Sequence, residues 1–142
     1  VLKDLQDEGV IRHIGLSEIS VEELDAARAQ IEVATVQNRY NLIDRASEDV
    51  LDRCEELGIG FIPWFPIATG ELAKPGGPVA AIEEETGASA SQIALAWLLH
   101  RSPVILPIPG TKSIAHLEDN LGARDLTLTH EQLATLDAVT PG

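Results

Sequence analysis

Short apolar runs alternate along this chain with longer stretches whose apolar residues recur at helical spacing. The runs are Ile11–Leu16, Val33–Val36, Ile59–Pro63 and Val104–Pro109. A polar or aromatic group closes each of them: Ser17-Glu18, Gln37-Asn38, Trp64 and Thr111-Lys112-Ser113. Runs of this length bounded by turn residues read as buried strands, and the stretches between them as amphipathic helices. The alternation predicts an α/β protein with a parallel sheet. In such sheets ligands gather at the C-terminal ends of the strands, where loops vary without disturbing the core. The four closing groups therefore point to one shared binding face.

The helices announce their own starts. Ser20-Val21-Glu22-Glu23, Ser89-Ala90-Ser91-Gln92 and Thr129 with Gln132 all fit a capping box, and Ser113 can cap a further helix. Val21, Leu24, Ala27 and Ile31 share one helical face, and Ile114, Leu117 and Leu121 another. The spacing predicts a helix from about Ser47 to Leu57, stopped by Gly58, and a short one over Val79–Thr86. The nearly all-apolar Ile93–Leu99 predicts a deeply buried helix. Pro103, Pro107 and Pro109 interrupt the last strand, as suits strand ends and tight turns. The strand-helix units, of about 30 residues each, follow the grammar of a (β/α) barrel. A full eight-unit barrel takes about 250 residues. With 142 residues, this chain is long enough for about half of one.

Composition narrows the function class. The net charge is -13, with acidic residues spread along the helices, which argues against a nucleic-acid partner. The single cysteine, Cys54, admits no internal disulfide and fits a helical core pattern with Val50, Leu51 and Leu57. No apolar stretch approaches the roughly 20 residues of a membrane span, and no signal-peptide pattern is visible. A cytoplasmic protein without a membrane partner is the expectation. The sequence holds no methionine, and Val1–Leu5 reads as the end of a helix entered midway. Either a missing N-terminus or an alternative start codon at Val1 is expected.

Four stretches then carry a family name. They are Ile11-Arg12-His13-Ile14-Gly15-Leu16-Ser17, Val36-Gln37-Asn38-Arg39-Tyr40-Asn41-Leu42, Gly58–Gly70, and Ile108-Pro109-Gly110-Thr111-Lys112-Ser113 with Asn120 downstream. In this order they resemble the C-terminal half of an NADPH-dependent aldo-keto reductase. The resemblance covers nearly the whole chain and implies a TIM-type barrel of which only the second half is present: strands five to eight and their helices. Residues 1–142 would form that one partial domain.

The resemblance also implies roles. Ser17 and Gln37 look like the groups that hydrogen-bond the nicotinamide carboxamide of NADP(H). Glu18 stands where relatives often have Asn, and a carboxylate accepts but cannot donate. Trp64 matches the aromatic position, usually Tyr, that stacks on the nicotinamide ring. Phe65, Pro66, Ile67 and Gly70 match the loop that follows the pyrophosphate. Gly110, Thr111, Lys112 and Ser113 look like the site of the adenosine 2′-phosphate. A helix N-terminus with a lysine beside it suits that anion on physical grounds alone. His116 lies near the same phosphate, and Asp119 and Asn120 match residues at the adenine end. The plainer alternatives are Ser113 as only a helix cap, Asn120 as a surface residue and Trp64 as a core aromatic.

The family's carbonyl reduction requires a tyrosine acid, a lysine that lowers its pKa, an aspartate and a histidine, all in the N-terminal half. The chain's only tyrosine, Tyr40, belongs to a different motif. His13 is placed within the first strand, His100 at a helix end and His130 at a helix start, so no such tetrad assembles. No metal-ligand spacing offers a substitute. Two readings follow. The chain is the cofactor-binding half of a reductase of aldehydes and ketones, inactive alone, or it is a non-catalytic half-barrel that binds NADP(H) or a partner chain. A small carbonyl substrate belongs to the complete barrel. Self-association or an N-terminal half-barrel is the expected partner.

Overall fold

The computed structural model describes residues 1–68 and 77–139. Helices and parallel strands alternate through the first half: α1 (Leu2–Asp7), β1 (Ile14–Ser17), α2 (Val21–Arg28), β2 (Val33–Gln37), α3 (Glu48–Leu57) and β3 (Gly60–Phe61). Four helices follow: α4 (Pro78–Thr86), α5 (Ala90–Arg101), α6 (Ile114–Gly122) and α7 (His130–Asp137). The sheet is parallel in the order β1-β2-β3, with Ser17 opposite Gln37 and Val36 opposite Phe61. Gly15 is needed in β1, because a Cβ there would lie 2.5 Å from the Thr35 hydroxyl.

The predicted fourth strand is reduced to one parallel bridge, Phe61 to Ile105. Phe61 donates its N–H to Val104 O at 2.8 Å, and Leu106 donates to Phe61 O at 2.8 Å. Pro103, Pro107 and Pro109 supply no further amide donors, so the ladder stops there. The third strand is shorter than Ile59–Pro63 for a related reason, since Pro63 lacks a donor. His13 lies just before β1 and is exposed, not within the strand as predicted. The direction survives these cuts: residues 104–110 leave the sheet at the same end as β1, β2 and β3.

Local signals set the helix ends. All three capping boxes form, at Ser20, Ser89 and Thr129. Gly58 stops α3 in the left-handed region at φ 67, where a side chain would be strained. Helix α5 buries Ile93 through Leu98 without a break, as its unbroken apolar run requires. Around it packs one core that includes Tyr40, Phe61, Leu51, Cys54 and Leu136. The Tyr40 ring meets Phe61 edge-on at 5.9 Å and stacks on Trp97 at 6.0 Å. The shared face of Ile114, Leu117 and Leu121 on α6 is different: all three side chains are exposed.

Candidate functional site

Three strand ends are stitched together by hydrogen bonds from two buried asparagines. Asn38 receives the N–H of Ile19 at 3.1 Å and donates to Ile19 O at 2.8 Å, joining the β1 exit to β2. Trp64 donates its backbone N–H to Asn38 O at 3.1 Å, and Asn41 donates its side-chain N–H to Phe65 O at 3.1 Å. Asn38 also donates to Ser47 Oγ at 3.3 Å, and Asn41 Oδ1 accepts the Ile43 N–H of its own loop at 3.0 Å, so both side chains fix the loops they touch. Sequence reading placed Asn38 in a strand-closing group and Asn41 inside a motif; their scaffold role depends on which loop lies beside them.

On this frame Ser17 and Gln37 sit side by side in register, Ser17 exposed and Gln37 half-buried. Neither side chain has a hydrogen-bond partner among the described residues. Glu18 follows at φ 53 and Phe65 at φ 58, with Ala68 at φ 47. A non-glycine residue held there costs on the order of 1 kcal/mol, and such strain gathers where loops are shaped for binding. Glu18 Oε1 accepts two N–H groups, from Arg39 backbone at 2.9 Å and from Trp64 Nε1 at 2.5 Å. The Arg39 guanidinium lies 5.5 Å from the Trp64 ring centroid and 5.2 Å from that of Phe65, and pairs with Asp44 at 2.8 Å. Trp64 is half-buried, Phe65 exposed, Pro66 buried and Ile67 half-buried. Gly70 lies outside the described residues.

A second group stands at the start of α6. Thr111 Oγ1 accepts the Ser113 N–H at 3.1 Å, and Ser113 Oγ accepts the His116 N–H at 3.4 Å, so Ser113 is indeed the helix cap. Gly110, Thr111, Lys112 and His116 are exposed. Lys112 has no acidic partner among the described residues, and the first turn of α6 carries no acid. In a chain of charge -13 this is a local positive site. Asp119 faces elsewhere: its carboxylate accepts from Ser89 Oγ at 2.7 Å and its carbonyl from Gln92 Nε2 at 2.9 Å, pinning α6 to the α5 start. Asn120 is half-buried beside it. No hydrogen bond among the described residues joins this group to the strand-end group, but both lie where the chain leaves the sheet at its C-terminal side.

Tyr40 is fully buried and donates its hydroxyl to Glu48 Oε2 at 2.8 Å. Burial first, and the Glu48 carboxylate second, push its pKa well above the usual phenol range. It holds its proton in the core and is not poised as an acid at the strand ends. Among the described residues no cluster of His, Cys, Asp or Glu could hold a metal ion.

Matches with known proteins fit this arrangement. The aldo/keto reductase family pattern matches residues 1–141, almost the entire chain. The chain belongs to the aldo/keto reductase family. It is 50% identical over 133 residues to an uncharacterised oxidoreductase of Schizosaccharomyces pombe, covering 94% of this chain and 44% of that protein. It is 41% identical over 140 residues to the pyridoxine 4-dehydrogenase of Escherichia coli, covering 99% and 49%. Among solved structures, an aldo/keto reductase from Klebsiella pneumoniae in complex with NADP and acetate superimposes with a TM-score of 0.86. That match is 31% identical and covers 98% of this chain and 52% of the other. The chain thus spans about half the length of these proteins. Among the described residues no helix is long and apolar enough to cross a membrane.

Proposed function

We propose that this chain supplies the NADP(H)-binding half of an aldo/keto reductase barrel, which reduces aldehydes or ketones to alcohols once the other half is in place. The observation that carries the reading is the adjacent pair Ser17 and Gln37, both without protein partners, with the Trp64 indole held at the next strand end. The donor and acceptor set suits a nicotinamide. A carboxamide offers one acceptor and two donors, and the hydroxyl of Ser17 and the amide of Gln37 can meet both kinds. The flat indole of Trp64 would fix the ring plane, and Lys112 with the amides at the α6 start would take the 2′-phosphate. Bound there, the cofactor would supply hydride. The protein's part is to hold one ring face toward the substrate side and keep water from it.

The general acid must come from residues beyond these 142, because Tyr40 is locked in the core with its pKa raised. The exposed Leu106, Ile108, Ile114, Leu117 and Leu121 supply apolar surface for such a complementary half. That surface also favours the partner-binding element of the alternative reading, in which the chain assembles without catalysis. Co-expression with the N-terminal half of a close relative decides between them. The expected outcome is a soluble complex with NADPH-dependent turnover of simple aldehydes, and none from the chain alone. A complex that binds NADPH but never turns over would overturn the reductase reading.

A further inference from the structure

Glu18 is placed where an anion has no obvious partner. It follows Ser17 directly, it is exposed, and no cationic side chain pairs with it among the described residues. Its carboxylate nevertheless has a defined task. The backbone holds it in the left-handed region at φ 53, and its own N–H is tied to Gln37 O at 3.0 Å, so the Cα cannot drift. From that fixed point Oε1 accepts Arg39 N–H at 2.9 Å and Trp64 Nε1–H at 2.5 Å. An indole has one polar edge atom, and a hydrogen bond to it stops the ring from rotating about its side-chain bonds. Arg39 stands over the ring at 5.5 Å and is itself anchored to Asp44. The indole is thus held at its edge by an anion and over its face by a cation.

We propose that Glu18 is a positioning residue that sets the plane of Trp64, and through it the orientation of a stacked nicotinamide. The proposal deepens the cofactor-site reading given above and rests on it. Glu18 Oε1 is already taken by two N–H groups, which gives the carboxylate a structural task apart from the carboxamide. Arg39 has a supporting part: its backbone amide shares the same Glu18 oxygen, so the β2 exit and the β3 exit are coupled through one carboxylate.

The test uses the full chain and reads the two indole N–H resonances by proton–nitrogen NMR, assigned by Trp64→Phe. The buried Trp97 ring, whose indole N–H donates to the exposed Asp137 Oδ1 at 2.8 Å, serves as an internal check of the fold. Glu18→Gly removes the carboxylate and suits the positive φ, so it does not add backbone strain. The expected result is that Glu18→Gly shifts the Trp64 indole resonance and leaves that of Trp97 in place. NADPH binding, followed by titration, should weaken about tenfold or more, the loss expected for one hydrogen bond to a charged group. Glu18→Gln keeps an acceptor oxygen and should restore most of both readouts. In a Trp64→Ala background Glu18→Gly should have no further effect on affinity.

An unmoved Trp64 resonance in Glu18→Gly overturns the proposal, whatever Trp64→Ala does to binding. Additive losses in the double variant also overturn it, since Glu18 would then act independently of the indole. A moved resonance with NADPH affinity unchanged in both Glu18→Gly and Trp64→Ala overturns the cofactor-site reading instead, and the orienting role toward nicotinamide falls with it.

Discussion

Single residues carry two sharply separable predictions. Lys112 is exposed, without an acidic partner among the described residues, beside a helix start whose first turn has no acid. A charge-assisted contact with a phosphate contributes about 1.5–3 kcal/mol. Lys112→Ala should weaken NADPH binding about tenfold or more and leave NADH nearly unchanged, with the difference shrinking as salt is added. Calorimetry with both cofactors on the assembled barrel checks this; equal losses would move the 2′-phosphate elsewhere. Cys54 makes the second case. Its thiol is fully buried among Val50, Leu51 and their neighbours, and burial pushes its pKa up to about 11. The unfolded thiol releases its proton earlier, so stability is intact below about pH 8.5 and falls as pH rises toward 11. Tyr40 shifts in the same direction and adds to the fall at higher pH. Cys54→Ala should remove the first part of this alkaline loss, while its small cavity costs about 1 kcal/mol at neutral pH. Urea midpoints across the alkaline range read both effects.

At the scale of elements, one arginine ties down the end of the last helix. Arg45, in the loop after β2, donates Nη2–H to Leu136 O at 2.9 Å and Nη1–H to Asp137 O at 3.1 Å at the α7 end. It also donates Nε–H to Leu42 O at 3.2 Å and lies 4.6 Å from the Trp97 ring. A cation at a helix C-terminus meets carbonyls that lack intrahelical partners. Arg45→Met keeps much of the stem volume and removes all three hydrogen bonds. It should cost about 2–3 kcal/mol, counting the charged hydrogen bonds and the ring contact. Amide exchange should quicken in α7 while β1 and β2 keep their protection; uniform acceleration would mean that α7 is not a separately docked unit. A comparable link joins α5 to α3, where Arg101 pairs with Glu48 and with Asp52 at 2.5 Å.

At the scale of the whole molecule, sheet edges and large apolar side chains decide how it behaves in solution. Among the described residues β1 pairs on one side only, and the segment around Ile105 makes a single bridge. Leu106 is 62% exposed, Ile114 77% and Leu121 64%, and exposed apolar side chains of this size favour association. Free sheet edges invite pairing with another chain. The isolated chain should therefore self-associate, and light scattering should give a mass that rises with concentration. The charge of -13 slows this by repulsion but leaves the edge amides unsatisfied. A monodisperse monomer with strongly protected β1 amides would show that the edges are closed in some other way.

What the sequence by itself determined was local in origin. The capping boxes at Ser20, Ser89 and Thr129 and the Gly58 stop formed as read, and the α5 run is buried from Ile93 to Leu98, with Leu99 exposed at its end. Each depends on hydrogen bonds or periodicity within about four residues, which the order of residues already contains. The parallel alternation and the family were legible because four motifs occur in order. Tertiary structure decided the rest. The last apolar run became a single bridge because three prolines remove donors and only Phe61 is beside it. The amphipathic face of α6 turned out exposed, since periodicity says which residues share a face but not what covers it. Glu18 and Trp64 were singled out separately in the sequence, yet they are one hydrogen-bonded pair 46 positions apart. Arg45 reaches Leu136 across 91 positions. Contacts of that separation depend on how helices and strands are brought together, and no local pattern encodes them.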